Sequence, residues 1–230
     1  MNEFKIEKGF RNARDMDRTK VIYEKLSSWQ NCISFLKENN LKGLTVRAES
    51  YNNKHLIDFS FLNEMPFLEY FEWLVSLNKK SDISALYSLQ NLKYLRWLVD
   101  NNFSIDFSKF PQLEMLNTSD YAGMENWHRL TNLKVLSISK LKRENCEFIH
   151  NLKELTDLKL SSANIISIKG LGGCSKLERL ELYNCTKINN LTEILSKCPQ
   201  IISVSLRKCK NIDKEETQRI EKLGISLWVE

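Results

Sequence analysis

The sequence predicts an α/β solenoid, a stack of short parallel strands covered on one side by returning segments, and three observations carry that expectation. Apolar residues recur in columns at steps of 20 to 24 residues. All 3 prolines fall at one phase of that spacing. The composition, 230 residues at 42% apolar and 27% charged with 7 Gly, is that of a folded chain, too apolar for disorder and too charged for a membrane span. No run reaches the ~18 apolar residues of a transmembrane helix. The start, MNEFKIEKGFRNARD, lacks the apolar stretch of a signal peptide, so a cytoplasmic protein without membrane contact is expected.

Residues 1–40 read as an N-terminal segment with a capping helix. Ser27 and Gln30 form a capping box, Trp29, Cys32, Ile33 and Leu36 follow at helical spacing, and Asn39 and Asn40 stop the helix. It is expected to cover a first strand carrying Leu41, Leu44 and Val46. Ahead of it, Phe4, Ile6, Phe10, Val21, Ile22 and Tyr23 are enough to pack locally in the same domain but form no motif.

Residues 41–212 hold seven to eight repeats. The segments FLEYFEWL, NLKYLRWL, QLEMLNTS, NLKVLSIS, ELTDLKLS, KLERLELY and QIISVSLR align with apolar residues at phases one, four and six. Phase one is Leu68, Leu92, Leu113, Leu133, Leu155, Leu177 and Ile201. Three residues earlier stand Met65, Leu89, Phe110, Leu130, Leu152, Cys174 and Cys198; six earlier stand Leu62, Leu86, Phe107, Trp127, Ile149, Leu171 and Leu195. Pro66, Pro111 and Pro199 sit two residues before phase one, where a missing N–H is tolerated. A strand with alternating residues turns phases four and six inward, and the returning segment covers them with the two earlier columns. No single unit buries its own face, so the units stack into a parallel concave sheet over one core. Residues 213–230 close the far end: Asp213 and Glu216 frame a second capping box, Ile220 and Leu223 face the core, Gly224 ends the helix, and Ile225, Leu227 and Val229 make an edge strand.

LERLELYNC, from Leu177 to Cys185, and ISVSLRKC resemble the leucine-rich repeat, L-x-x-L-x-L-x-x-N/C, over roughly residues 41–229. SDISALYSLQNLKYL is similar to the bacterial internalin-type repeat of about 22 residues. CTKINNLTEILSKCPQIISVSLRKC is similar to the cysteine-containing subtype. The Asn or Cys of phase nine is present only as Cys185 and Cys209; Ser76, Asp100, Tyr121, Leu141 and Ala163 stand elsewhere, so irregular early turns are expected. The resemblance implies a curved horseshoe or arc acting as a non-enzymatic protein-binding module. Compact bacterial repeat proteins of this kind add an alternative, an immunity or antitoxin-like inhibitor of one toxin.

Cys174, Cys198, Cys185 and Cys209 occupy repeat columns, which assigns them to structure, and same-column neighbours lie one strand spacing apart, within disulfide reach in vitro. Cys32 and Cys146 have no partner column. No paired C-x2-C knuckle exists for zinc. His55, His128 and His150 fall in different repeats outside any metal-ligand spacing, KGLGG (169–173) lies in a returning segment rather than a phosphate loop, and no G-x-S-x-G occurs. No catalytic residue, metal or cofactor is expected. The net charge of +5 lies in residues 131–230, where 17 Lys+Arg face 12 Asp+Glu, against 17 and 17 before them. Interleaved acids disfavour nucleic acid, which stays the weaker alternative through Lys159, Arg179, Arg207, Lys208 and Lys210.

Phases three, five and seven point to the concave face. In the N-terminal half these are Tyr70, Glu72 and Leu74, Tyr94, Arg96 and Leu98, then Met115 and Asn117. They are the expected partner-binding residues, an exposed apolar stripe with one Glu–Arg pair, for a protein partner of unstated identity. Weak self-association through the stripe, or residues 1–26 folded over it, are the alternatives. On this reading Tyr94→Ala leaves the fold intact and weakens binding, while Leu158→Ala, at phase four, destabilises. Trp73 and Trp97, at phase six, are assigned to the core.

Overall fold

Alternation along the first residues makes a hairpin before the repeats begin. The structure, a computed structural model, describes residues 3–10, 13–50, 53–99, 103–120 and 123–230. Strands β1 (Phe4–Phe10) and β2 (Ala13–Ile22) pair antiparallel, and helix α1 (Trp29–Glu38) leads into β3 (Gly43–Arg47). Then follow β4 (Tyr70–Leu74), β5 (Tyr94–Trp97), β6 (Ile105–Asp106), β7 (Met115–Ser119), β8 (Met124–Glu125), β9 (Val135–Ser139), β10 (Asp157–Ser161) and β11 (Arg179–Tyr183). Helix α2 (Leu191–Leu195), β12 (Ser203–Arg207), helix α3 (Lys214–Glu221) and β13 (Ser226–Val229) complete the chain. Among the described residues one sheet runs β1-β2-β3-β4-β5-β7-β9-β10-β11-β12-β13, parallel from β2 onward, and β6 and β8 pair separately.

The register places Tyr70, Tyr94, Met115, Val135, Asp157, Arg179 and Ser203 side by side, the alignment read from the sequence. Every residue of the two returning columns and of phases one and four is buried. Phase six has one departure from the apolar rule: Thr118, wholly buried, whose Oγ1 donates to the carbonyls of Trp97 and Ser119, both 3.2 Å away. Its hydroxyl is satisfied by backbone, so the column tolerates it. Trp73 and Trp97 are fully buried.

The returning segments are 3₁₀ turns, at Ser60–Glu64, Ser84–Ser88, Phe107–Lys109, Trp127–Arg129, Glu147–Ile149 and Leu171–Gly173, with α2 in the last repeat. Short polar side chains open most of them. Asp58, Asp82, Asp106 and Asn145 each accept from the backbone N–H two residues on, at 2.9 to 3.0 Å, and Ser167 accepts from Lys169 N at 3.1 Å. Asn91 and Asn132 donate to the carbonyls of Pro66 and Pro111 in the preceding turn. The KGLGG segment is a turn, and its glycines are steric: Gly170 has φ +105, and a Cβ on Gly173 would lie 2.1 Å from the His150 carbonyl oxygen.

The corner after the strand differs along the chain. Lys140, Ser162, Asn184 and Lys208 take left-handed φ of 49 to 55° at phase eight. Their N–H groups donate to the carbonyls of Ser161, Tyr183 and Arg207 in the following strand and of Glu230 just past β13. The equivalent early residues are Val75 and Val99, both buried, and a β-branched side chain disfavours that conformation. At phase nine Ser76, Leu141, Ala163 and Cys185 are buried, and Asp100 and Tyr121 lie outside the described residues.

Four expectations for the ends are corrected. The α1 cap is Ser28, one residue later than read: its side chain accepts from Asn31 N at 3.1 Å, while Ser27 Oγ bonds the Glu3 carboxylate. That helix is the crossover between β2 and β3, burying Cys32, Ile33 and Leu36, and the sheet continues past Leu41 into β2 and then β1. At the other end Asp213 does cap α3, but Glu216 turns from the capping box to Thr192 N (2.7 Å) and Arg219 (2.9 Å). Leu223, beyond the last core turn, is exposed rather than inward.

Candidate functional site

The open face of the sheet is where side chains stand free of the returning segments. Phases three, five and seven face it, and the register extends these rows into the hairpin: Lys20, Thr45 and Glu72 follow one another in one row, and Arg47 stands beside Leu74. The expected stripe is thereby reshaped. Tyr94 is 2% exposed, Tyr70 9% and Glu72 2%, so they underlie the surface instead of forming it. The rings of Tyr70 and Tyr94 lie 6.3 Å apart with Met115 packed against them.

Glu72 is the node of this floor. Its carboxylate accepts from Arg18 at 3.1 Å, from the Thr45 hydroxyl at 2.8 Å and from the Tyr94 hydroxyl at 2.9 Å. Arg96 approaches it only to 3.7 Å. Burial first, and the Glu72 charge second, push the Tyr94 phenol far above its ordinary pKa, so it stays protonated and donates. Arg18 also donates to Glu7 (3.3 Å), which pairs with Lys20 (2.9 Å) and Lys5 (3.2 Å). Burial raises the Glu7 pKa, but Lys20, Lys5 and Arg18 outweigh it and hold the group at about 2. Leu74, Arg96, Leu98, Met115 and Asn117 are half-buried and make the surface itself. A pocket of about 400 Å³ opens here, lined by Glu7, Arg18, Lys20, Thr45, Arg47, Glu72, Leu74 and Arg96.

Arg18, Lys20, Thr45 and Arg47 were absent from the sequence reading. The signal for them was the alternation of Arg18 and Lys20 with the wholly buried Thr19 and Val21, which marks residues 17–22 as a strand with one wet face.

Further along, a hollow of about 300 Å³ lies over Asn117, Ser137, Asp157, Lys159, Arg179, Glu181 and Ser205. The basic patch expected in this half is largely neutralised. Lys159 is held by Glu181, Arg179 by Asp157, and Arg207 by Glu230 while its guanidinium stacks over Trp228. Lys208 and Lys210 are exposed.

The histidines stand apart from one another. His55 pairs with Glu24 at 3.4 Å, and His128 and His150 are exposed. All six cysteines are free thiols. Cys174 donates to the Ile149 carbonyl at 3.2 Å, and Cys185 and Cys209 reach Leu160 and Leu182, so the repeat columns use thiols to satisfy backbone oxygens. Burial raises the Cys146 pKa and Cys174 adds to it. Among the described residues no group of three or more His, Cys, Asp or Glu is placed to hold a metal ion, and no helix is long and apolar enough to cross a membrane.

No protein-family model matches the chain and no curated protein matches it. Solved structures do. An internalin (inlF) of Listeria monocytogenes superposes with a TM-score of 0.54 at 19% identity, over 85% of this chain and 63% of its own. Internalin C2 (inlC2) of the same organism gives 0.55 at 20% identity, over 81% of this chain and 79% of its own. The chain thus spans just under two thirds of the first and about four fifths of the second.

Proposed function

We propose, with a leucine-rich repeat solenoid as premise, that the protein is a non-enzymatic interaction module that binds a protein partner on the concave face. The observation that carries this reading is the rigid open sheet itself. Its outward side chains are held by neighbours one repeat away, as Lys159 is by Glu181 and Ser119 by Ser139 at 2.7 Å, so little freedom remains to be lost on association. The partner-contacting residues in this reading are Leu74, Arg96, Leu98, Met115 and Asn117. Tyr70, Glu72 and Tyr94 act beneath them as the floor that sets their height. A cytoplasmic setting belongs to the same reading, supported by six free thiols.

The test is affinity capture from lysate of the source organism, with retained proteins identified by mass spectrometry. The parent is compared with Asn117→Arg/Ser137→Arg, which fills the open face, and with His128→Ala/Arg129→Ala on the returning side. The expected result is one dominant protein kept by the parent and by the second variant and lost by the first; a toxin in that position would make the module an inhibitor. Retention by the filled variant, nothing retained by the parent, or only salt-labile nucleic acid overturns the proposal.

A further inference from the structure

We propose that the pocket over β2 to β5 is a binding site for one carboxylate, an Asp or Glu side chain of the protein partner. Four cations, Arg18, Lys20, Arg47 and Arg96, line it against two acids, Glu7 and Glu72. Both acids are already engaged: Glu7 by Lys20, Lys5 and Arg18, Glu72 by Arg18, Thr45 and Tyr94. Arg96 is left over. Its Nη1 stands 3.7 Å from Glu72, beyond hydrogen-bond reach, and its Nε is shielded from water with no hydrogen-bond acceptor.

The Arg96 side chain is 28% exposed, so a guanidinium held by one 3.7 Å ion pair keeps N–H donors for an arriving carboxylate, which takes two of them in parallel N–H···O bonds. One under-used guanidinium matches the two oxygens and single charge of a carboxylate. A phosphate dianion asks for further unengaged cations, whereas Lys20 and Arg18 are held by Glu7 and Glu72 and Arg47 has a partner of its own. Leu74 lines the pocket, and Leu98 shares the Arg96 face two residues along, so an acid flanked by apolar residues is the side chain that fits.

The proposal rests on the concave-face reading for the kind of ligand. Its test is separate, because it reads defined peptides and a variant of Arg96 itself rather than capture from lysate. The full chain is titrated with the peptide acetyl-Ala-Leu-Glu-Leu-Ala-amide, with its Gln counterpart and with inorganic phosphate, following the Arg96 Nε–H resonance by heteronuclear NMR. The Glu peptide is expected to move that resonance saturably and the Gln peptide to leave it. Arg96→Gln is expected to weaken Glu-peptide binding at least about tenfold, read from the amides of Leu74 and Leu98, at an unchanged melting temperature. Should Arg96→Gln melt lower, Arg96→Lys takes its place. No saturable shift with the Glu peptide, an equal shift with the Gln peptide, saturation by phosphate at lower concentration, or undiminished binding in the variant overturns the proposal. A null titration beside a successful capture overturns the pocket and leaves the concave-face reading standing.

Discussion

Replacing Glu72 with alanine removes the node that ties the hairpin to the repeats. Three donors lose their acceptor at once, the Arg18 guanidinium and the hydroxyls of Thr45 and Tyr94. At about 1–3 kcal/mol for each stranded group the sum is about 3–9 kcal/mol. Two features reduce it. Arg18 keeps Glu7 at 3.3 Å, and its side chain is 18% exposed, so water enters where the carboxylate was. The expected loss is then about 3–5 kcal/mol, the range for breaking a buried ion pair from one side. Glu72→Gln keeps the shape and one acceptor, and is expected to lose roughly half as much.

Urea unfolding followed by tryptophan fluorescence reads this directly, because Trp73 and Trp97 lie in the strands that carry Glu72 and Tyr94. Amide hydrogen exchange adds the local readout: Thr19 to Ile22, paired to β3, should lose protection before the repeats do. A Glu72→Ala protein within about 0.5 kcal/mol of the parent, with β2 equally protected, would show that the node carries no stability and that the hairpin is held by its backbone alone.

Other outcomes follow from the same structure. Tyr94→Ala, expected from sequence to be silent in the fold, should cost about 3–5 kcal/mol because the ring is buried and its hydroxyl is used; a melting temperature equal to the parent's would restore the surface reading. Leu158→Ala, 2% exposed at phase four, should cost about 2–5 kcal/mol, and an unchanged melt would contradict the register. Glu7 has its pKa depressed from 4.5 to about 2, so its contribution is fully present above about 4.5 and is lost as pH falls through 2. Melting temperature should therefore drop across that window more in the parent than in Glu7→Gln, and parallel profiles would remove Glu7 from the account. Cys209, half-buried, has its thiol pKa lowered chiefly by the hydrogen bond from Cys185, whereas burial raises those of Cys146 and Cys32. Iodoacetamide should label Cys209 first in the folded protein, and earlier labelling of Cys146 or Cys32 would refute the thiol assignment.

The sequence by itself determined the repeat, its register and its core. Those follow from period-two alternation within each strand and from neighbours a fixed 20 to 24 residues away, both visible in one dimension. The conformation of the returning segments was less legible, because 3₁₀ turns rest on Asp58, Asp82, Asp106, Asn145 and Ser167, short side chains whose role shows only where the backbone turns. Only the tertiary structure decided which concave residues meet solvent. Phase assigns Tyr70, Glu72 and Tyr94 to the open face, but their exposure depends on what lies on either side in the sheet. Arg18 comes from a hairpin 54 residues before Glu72, outside the repeat, and it turns an expected contact into a buried ion pair. Period in sequence sets the face a side chain takes, and the partners arriving from other strands set whether that face is wet.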